Sequence, residues 1–184
     1  MGTSHRDSLF DRCIEVVLKS EGGYQCDPDD IGNFDSYGNL IGTNFGISAR
    51  LFPNVDIKNL TREQAKDIYY QHYWLPMNLR GIDNDNLVLH LFDHGINAGK
   101  RTAIRMVQKL VGVKIDGIIG INSVYRINSF GNVYKVIEGY GLLTTIDEHY
   151  IYARRLYYSS LIERRPITRK YLKGWYNRIN NTHF

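Results

Sequence analysis

The sequence predicts a mainly α domain with little sheet. Three observations predict it. Apolar residues recur at helical spacing through most of the chain. Residues that start and stop helices bracket those stretches. The composition of 184 residues, 43% hydrophobic and 23% charged with 4 Pro and 2 Cys, is that of an ordinary globular chain. At this length folding hides roughly 70% of the surface that the unfolded chain exposes, so a core forms without staples.

Taken in order, the first element runs from about Ser8 to Glu21. Phe10, Cys13, Ile14, Val17, Leu18 and Glu21 share one stripe, and Gly22-Gly23 stops the helix. From Gln25 to Thr43 the chain is rich in Asp, Gly, Asn and Ser, which reads as loop or short hairpin with a turn at Tyr37-Gly38-Asn39. Any sheet belongs in this region, before Thr43. Thr61 caps a second helix, with Gln64 completing a capping box. That helix is expected to run to about Trp74 and stop before Pro76. A third, from about Asn86 to Asn97, is mostly apolar and therefore central, and Gly99 breaks it. A fourth, from about Arg101 to Val111, aligns Ala103, Ile104, Val107, Leu110 and Val111. Asp116-Gly117 is a turn. Short helices are expected near Ser123 and Val133, a long one from about Leu142 to Glu163 ahead of Pro166, and a last one from about Thr168 to Ile179.

Charge is unevenly shared. Residues 1–92 hold 8 Lys+Arg against 13 Asp+Glu, residues 93–184 hold 15 against 6, and after Glu163 six basic residues follow with no acidic one. A basic half of this kind favours a polyanionic partner (nucleic acid, acidic membrane or anionic wall polymer), or is a solvated basic face. No apolar run approaches the roughly 18 residues of a membrane span. Cys13 and Cys26 are too few for a disulfide framework or a zinc site, and whether they meet is not legible. Asp11, Arg12 and Glu15 interrupt the apolar start, so no secretory signal is expected, and the reading is synthesis in the cytoplasm with another route of release.

Glu21 is the most informative residue. It continues an apolar stripe at the carboxyl end of a helix. Burial and the negative end of the helix dipole both disfavour a charged carboxylate there. The expected outcome is a raised pKa, as a general acid requires. The alternative is a Glu that bends into solvent from a frayed end. Tyr24 and a carboxylate cluster, Asp27, Asp29 and Asp30, follow within nine positions. Two carboxyls across a small gap, one protonated and one ionised, are the geometry of glycoside hydrolysis. Asp27-Pro28-Asp29-Asp30 reads equally as a turn with Asx capping.

Three segments, Ser20-Glu21-Gly22-Gly23-Tyr24, Asp27-Pro28-Asp29-Asp30 and Gly42-Thr43-Asn44-Phe45-Gly46-Ile47-Ser48, are in order and spacing similar to the amino-terminal signature of glycoside hydrolase family 108. These are N-acetylmuramidases of phage-endolysin and secretion-activator type. Leu60 to Ala65 and Ile68-Tyr69 through Tyr73-Trp74 resemble the family's second helix. Phe92-Asp93-His94-Gly95-Ile96-Asn97-Ala98-Gly99, Asp116-Gly117-Ile118-Ile119-Gly120 and Gly174-Trp175-Tyr176-Asn177-Arg178 resemble its peptidoglycan-binding half. The resemblance implies a lysozyme-like fold of two lobes with a small loop or β-hairpin region near the active site. Residues 1–85 would form the catalytic lobe and residues 86–184 the helical peptidoglycan-binding lobe of one compact unit.

By the same resemblance Glu21 is the catalytic acid. Asp29 or Asp30 is the second carboxylate, and Thr43 positions water. One departure stands out: Thr43 follows Asp30 by thirteen positions, a longer passage than the family's, so residues 31–42 read as an insertion that puts the second carboxylate in question. Protonated Glu21 would supply the proton that the glycosidic oxygen needs to leave, and Asp29 or Asp30 would stabilise the oxocarbenium-like state with help from Thr43. Tyr24, Phe45, Tyr73, Trp74 and Trp175 are candidates to line a sugar groove, although each also reads as core packing. Asp93 and Asn97 would line the cleft or hold helix ends.

His90 and His94 have the i, i+4 spacing of a zinc pair, but Leu91 stands where the metalloprotease motif needs Glu, so no metal or other cofactor is expected. The implied activity is bacteriolytic. It cleaves the β-1,4 bond between N-acetylmuramic acid and N-acetylglucosamine in peptidoglycan. The expected partners are glycan strands and a holin or other release system, with no nucleic acid, and the chain is expected to act as a monomer. The rival readings are a lytic transglycosylase, which leaves 1,6-anhydromuramic ends, and a wall-binding or secretion-accessory protein without activity.

Overall fold

The computed structural model describes residues 8–131, 135–137 and 141–184. The chain divides into two compact units, Met1–His72 and Tyr73–Phe184.

In the first unit, helix α1 (Ser8–Ser20) buries the predicted stripe of Phe10, Cys13, Ile14, Val17 and Leu18. Helix α2 (Arg62–Tyr69) starts at the expected capping box, in which Thr61 Oγ1 accepts from Gln64 N–H and Gln64 Oε1 accepts from Thr61 N–H. Phe10 of α1 packs edge to face at 4.9 Å on Tyr70, the residue that follows α2. Glu15 on α1 reaches Arg62 at 2.6 Å and Lys66 at 2.8 Å. The hydrogen bond from Lys66 leads the effects that hold the Glu15 carboxyl below its ordinary range. The pair is half exposed, so it adds little stability.

Between these helices lies a small antiparallel hairpin, β1 (Thr43–Asn44) with β2 (Ile47–Ser48). It begins at Thr43, whereas the sequence placed any sheet before that residue. The reason is visible in the loop. Gln25 and Thr43 exchange two backbone hydrogen bonds of 2.8 Å, which closes residues 26–42 into a separate lobe. Cys13 and Cys26 are both free thiols.

Pro76 does not end the helical run. A π-helical turn, Tyr70–Trp74, leads into the short helix α3 (Leu75–Met77), and Pro76 lies in its first turn. The wider π turn directly before Pro76 interrupts the i→i−4 pattern that a proline would otherwise break.

In the second unit α4 (Asp85–Ala98) is central, with Leu87, Val88, Leu89, Leu91 and Phe92 fully buried. Gly99 ends it at φ +93°. Helices α5 (Lys100–Val111) and α7 (Ile146–Arg164) pack against α4. The Asp116-Gly117 turn is held by buried Gln108, whose Nε2 donates to Asp116 Oδ1 and Ile118 O and whose Oε1 accepts from Gly117 N–H. Helix α6 (Ile121–Asn128) follows. The short helix expected near Val133 lies outside the described residues.

Beyond it, β3 (Lys135–Ile137) pairs with β4 (Gly141–Leu143), a ribbon the sequence reading did not anticipate. Leu142 and Leu143 therefore belong to a strand. Helix α7 starts later than expected because Thr145 and Glu148 form a second capping box. The last expected helix is split into a 3₁₀ stretch, Pro166–Tyr171, and α8 (Leu172–Asn181).

The heart of this unit is ionic. Arg154 has no exposed surface. It donates to Asp93 Oδ2 at 2.7 Å and to His90 Nδ1 at 3.1 Å, while Arg178 donates to Asp93 Oδ1 at 2.7 Å. Burial pushes the Asp93 carboxyl up, but the Arg178 and Arg154 guanidiniums outweigh it and hold it below its usual range. Burial and the nearby Arg154 charge push His90 down to about 3 and His94 well below its ordinary value.

Acid lability follows from these shifts. The folded imidazoles stay neutral where the unfolded ones bind protons, so the unfolded state gains protons below about pH 6.5. For His90 that stability is fully present above that pH and is lost as pH falls toward 3, by about 1.4 kcal/mol per pH unit, and His94 acts in the same direction. Urea midpoints measured from pH 7 to pH 4 should fall steadily, and His90→Gln should flatten the slope. A midpoint independent of pH over that range would refute the account.

Candidate active site

Glu21 is the first residue past the end of α1, and its side chain is half-buried. The hairpin turn is built against it. Phe45 and Gly46 join β1 to β2 with φ values of +49° and +73°. Two successive positive values define a type I′ turn, which fits the twist of a two-residue hairpin. Gly46 serves it without strain, whereas an aromatic residue in the left-handed region is unusual. Tyr69, at the end of α2, supports the strained residue by donating its hydroxyl to Phe45 O at 2.9 Å.

A Cβ placed on Gly46 would lie 2.5 Å from Glu21 Oε2 and 2.7 Å from Tyr69 Oη. Both oxygens therefore converge on the volume that only a glycine leaves open. The hairpin is tied down from the other side by Asn44, a buried amide whose Nδ2 donates to Ile57 O at 3.1 Å and Leu60 O at 3.4 Å.

The carboxylate loop is organised by Asn33, which is fully buried. Its Nδ2 donates to Gln25 Oε1 and Asp27 O, its Oδ1 accepts from Gln25 Nε2, and its backbone oxygen accepts from Ile41 and Gly42 N–H. Asp27 Oδ1 accepts from Asp29 N–H at 2.9 Å. Asp30 caps the 3₁₀ turn Ile31–Asn33, with Oδ1 accepting from Gly32 N–H at 2.9 Å and Oδ2 from Gln25 Nε2 at 3.4 Å. Asp29 is exposed, and its carboxylate makes none of these loop bonds. Tyr24 lays its ring over Gly42 and donates to Ile41 O at 2.9 Å. A hydrogen bond with Cys26 pushes its phenol above the usual range. Thr43, half-buried, is brought beside Gln25 by the paired backbone bonds. The first unit thus gathers Glu21, Phe45 and Tyr69 at one point, and Tyr24, Asp29, Asp30 and Thr43 around the adjoining loop.

The other sequence candidates belong to the second unit. Trp74 is 2% exposed and packs edge-on against Phe92. Asp93 is 1% exposed with both oxygens bonded to arginine. Neither presents surface to a sugar, so each holds the core. Tyr73 is half-buried with Lys100 Nζ 5.5 Å above its ring. Asn97 is exposed and its amide closes onto Asp93 O at 2.9 Å. Trp175 is half-buried and stacks on Tyr158 at 4.7 Å. His90 and His94 are engaged in packing: His94 Nδ1 meets Tyr150 Oη at 2.8 Å, and His90 takes the hydrogen bond from Arg154.

Sequence reasoning missed Tyr69 and Gly46 as parts of the site. Gly46 lay inside a recognised segment, but its meaning depends on a side chain 25 positions away. The only local signal was a glycine following an aromatic residue between two short extended stretches.

A carboxyl at a helix end, set against a tight hairpin in a mainly α fold, is the arrangement expected of a lysozyme-like glycoside hydrolase. Residues 14–99 match the model of Glycosyl hydrolase 108, and residues 102–180 match that of the Predicted Peptidoglycan domain. Residues 14–99 are similar to glycosyl hydrolase family 108, and with the peptidoglycan domain that follows they mark the chain as a peptidoglycan hydrolase of the muramidase type. Its fold is similar to the solved structure of Brucella abortus SagA, with 24% identity, a TM-score of 0.67, and coverage of 94% of this chain and 90% of that one. No curated protein matches it. The match to a glycosyl hydrolase model favours neither the transglycosylase nor the inactive wall-binding alternative.

Proposed function

We propose that this muramidase breaks the β-1,4 bond between N-acetylmuramic acid and N-acetylglucosamine with Glu21 as its general acid. The observation that supports this most is the seating of the Glu21 carboxyl against Gly46 and Tyr69 Oη. That seating fixes one oxygen, which a proton donor needs in order to meet the leaving oxygen in a single geometry. Asp29 is the second carboxylate of this reading, because Asp30 spends both oxygens on its own loop. Thr43 orients the attacking water, and Tyr24 and Phe45 contribute ring faces to the sugar. Among the described residues no helix is long and apolar enough to cross a membrane. The reading has the chain act as a monomer after release by a holin or similar system.

Mass spectrometry of fragments released from purified peptidoglycan tests the reaction. Reducible N-acetylmuramic acid ends are expected, and anhydro ends would overturn hydrolysis. The two aspartates separate by a paired experiment. Asp29→Asn should lower kcat by on the order of 10²-fold with an unchanged melting temperature. Asp30→Asn should stay active because an amide oxygen still caps the turn, while Asp30→Ala should lose stability. Equal losses of kcat in Asp29→Asn and Asp30→Asn would remove Asp29 from its role.

A further inference from the structure

Helices α5 and α7 of the second unit enclose an open groove of about 810 Å³. Its floor is apolar: Met106 and Leu110 from α5, and Leu156, which is 52% exposed, from α7. One edge carries Arg101, Arg105 and Lys109, and no acidic residue lines the groove. Among the described residues no ion pair engages these three cations. Arg101 donates only to a neutral carbonyl, Asp116 O at 3.2 Å, which leaves its charge uncompensated. Exposed aliphatic side chains beside unpaired guanidiniums are a surface that wants an anionic partner with small apolar groups.

Arg101, Arg105 and Lys109 are four residues apart on a helix, so successive charges rise by about 6 Å and form a row suited to a ligand with more than one carboxylate. Tyr157 also lines the groove, so a ring face is present, but a neutral glycan strand offers no carboxylates to these cations.

We infer that this groove binds the peptide stem of peptidoglycan, a short extended chain of alanine methyls and free carboxylates, with the methyls on the Met106–Leu156 floor and the carboxylates on Arg101, Arg105 and Lys109. The inference rests on the reading of the chain as a peptidoglycan hydrolase and adds what its carboxyl-terminal unit grips: the peptide, in addition to the glycan cut by the first unit. All of the groove's lining except Arg101, which immediately precedes the match, lies within the residues that match the Predicted Peptidoglycan domain. Holding the stem would raise the local concentration of glycan bonds at the catalytic unit.

The test uses the full chain and calorimetric titration with three probes: a synthetic stem tetrapeptide with free carboxylates, the same peptide with its carboxylates amidated, and a neutral N-acetylglucosamine oligomer. The free-acid stem should bind, the amidated stem at least tenfold more weakly. The double variant Arg105→Gln/Lys109→Gln, exposed positions whose loss leaves the core intact, should weaken the free acid at least tenfold at an unchanged melting temperature. The same variant should raise KM on intact peptidoglycan and leave turnover of peptide-stripped glycan unchanged. Equal binding of the acid stem by wild type and variant would overturn the inference. So would absence of stem binding, including the case in which an acidic amphipathic helix binds the groove in its place. Failure of the catalytic reading shows separately, because Glu21→Gln should bind the stem as wild type does whether or not the wild type turns over.

Discussion

Glu21→Gln is expected to lower kcat on peptidoglycan by about 10²–10⁴-fold. Glutamine matches the shape of the side chain and can keep its seat against Gly46, so KM and the melting temperature should stay near wild type. What it cannot do is hand a proton to the glycosidic oxygen as the bond breaks. A fall in kcat and kcat/KM together, without a change in KM, is the signature of an interaction made only in the transition state. Fragment analysis and turnover on the same substrate give both readings. A folded Glu21→Gln protein that turns over at the wild-type rate would end the assignment of Glu21, and attention would pass to the carboxylates of residues 27–30.

The helices were legible where their signals are local. The Thr61 and Thr145 caps each need only the residue three positions on, and Gly99 stops a helix by its own backbone freedom. The sequence located the first cap and missed the second, because an apolar pair, Leu142 and Leu143, drew the expected helix start too early. Pro76 misled for a related reason: a π turn directly ahead of it changes the hydrogen-bond pattern that a proline would interrupt, so the helical run continues.

Long-range chemistry was the illegible part. Asp93 read as a residue that lines the cleft or holds a helix end, yet its partners lie 61 and 85 positions away, and those two arginines make it core. Asp30 and Asp29 are indistinguishable as letters. They separate only when the loop around Asn33 closes and consumes one of them. Glu21 stood out because a helix end, an apolar stripe and a recognised segment all met on one residue.

Gly46→Ala is expected to lower kcat by about 10²-fold, through displacement of Glu21 and with no change in its chemistry. The substitution has two costs. A left-handed backbone penalises any L side chain by about 1–2 kcal/mol, which should appear as a lower melting temperature. The added methyl would also stand 2.5 Å from Glu21 Oε2 and 2.7 Å from Tyr69 Oη, closer than nonbonded atoms approach, so the carboxyl or the turn must move. Gly38→Ala isolates the second cost. Gly38 has φ +85° in the outer loop, and a Cβ there meets nothing within 4 Å, so its variant carries the backbone penalty alone. Similar melting temperatures with activity lost only in Gly46→Ala would tie turnover to the placement of Glu21 against the turn. Equal activity in the two variants would mean that the turn supports the fold and that the position of the Glu21 oxygen is not limiting. Tyr69→Phe completes the set: it frees Phe45 O from its hydrogen bond without adding bulk. It should lower kcat less than Gly46→Ala does, since the turn then loosens but nothing pushes the carboxyl aside.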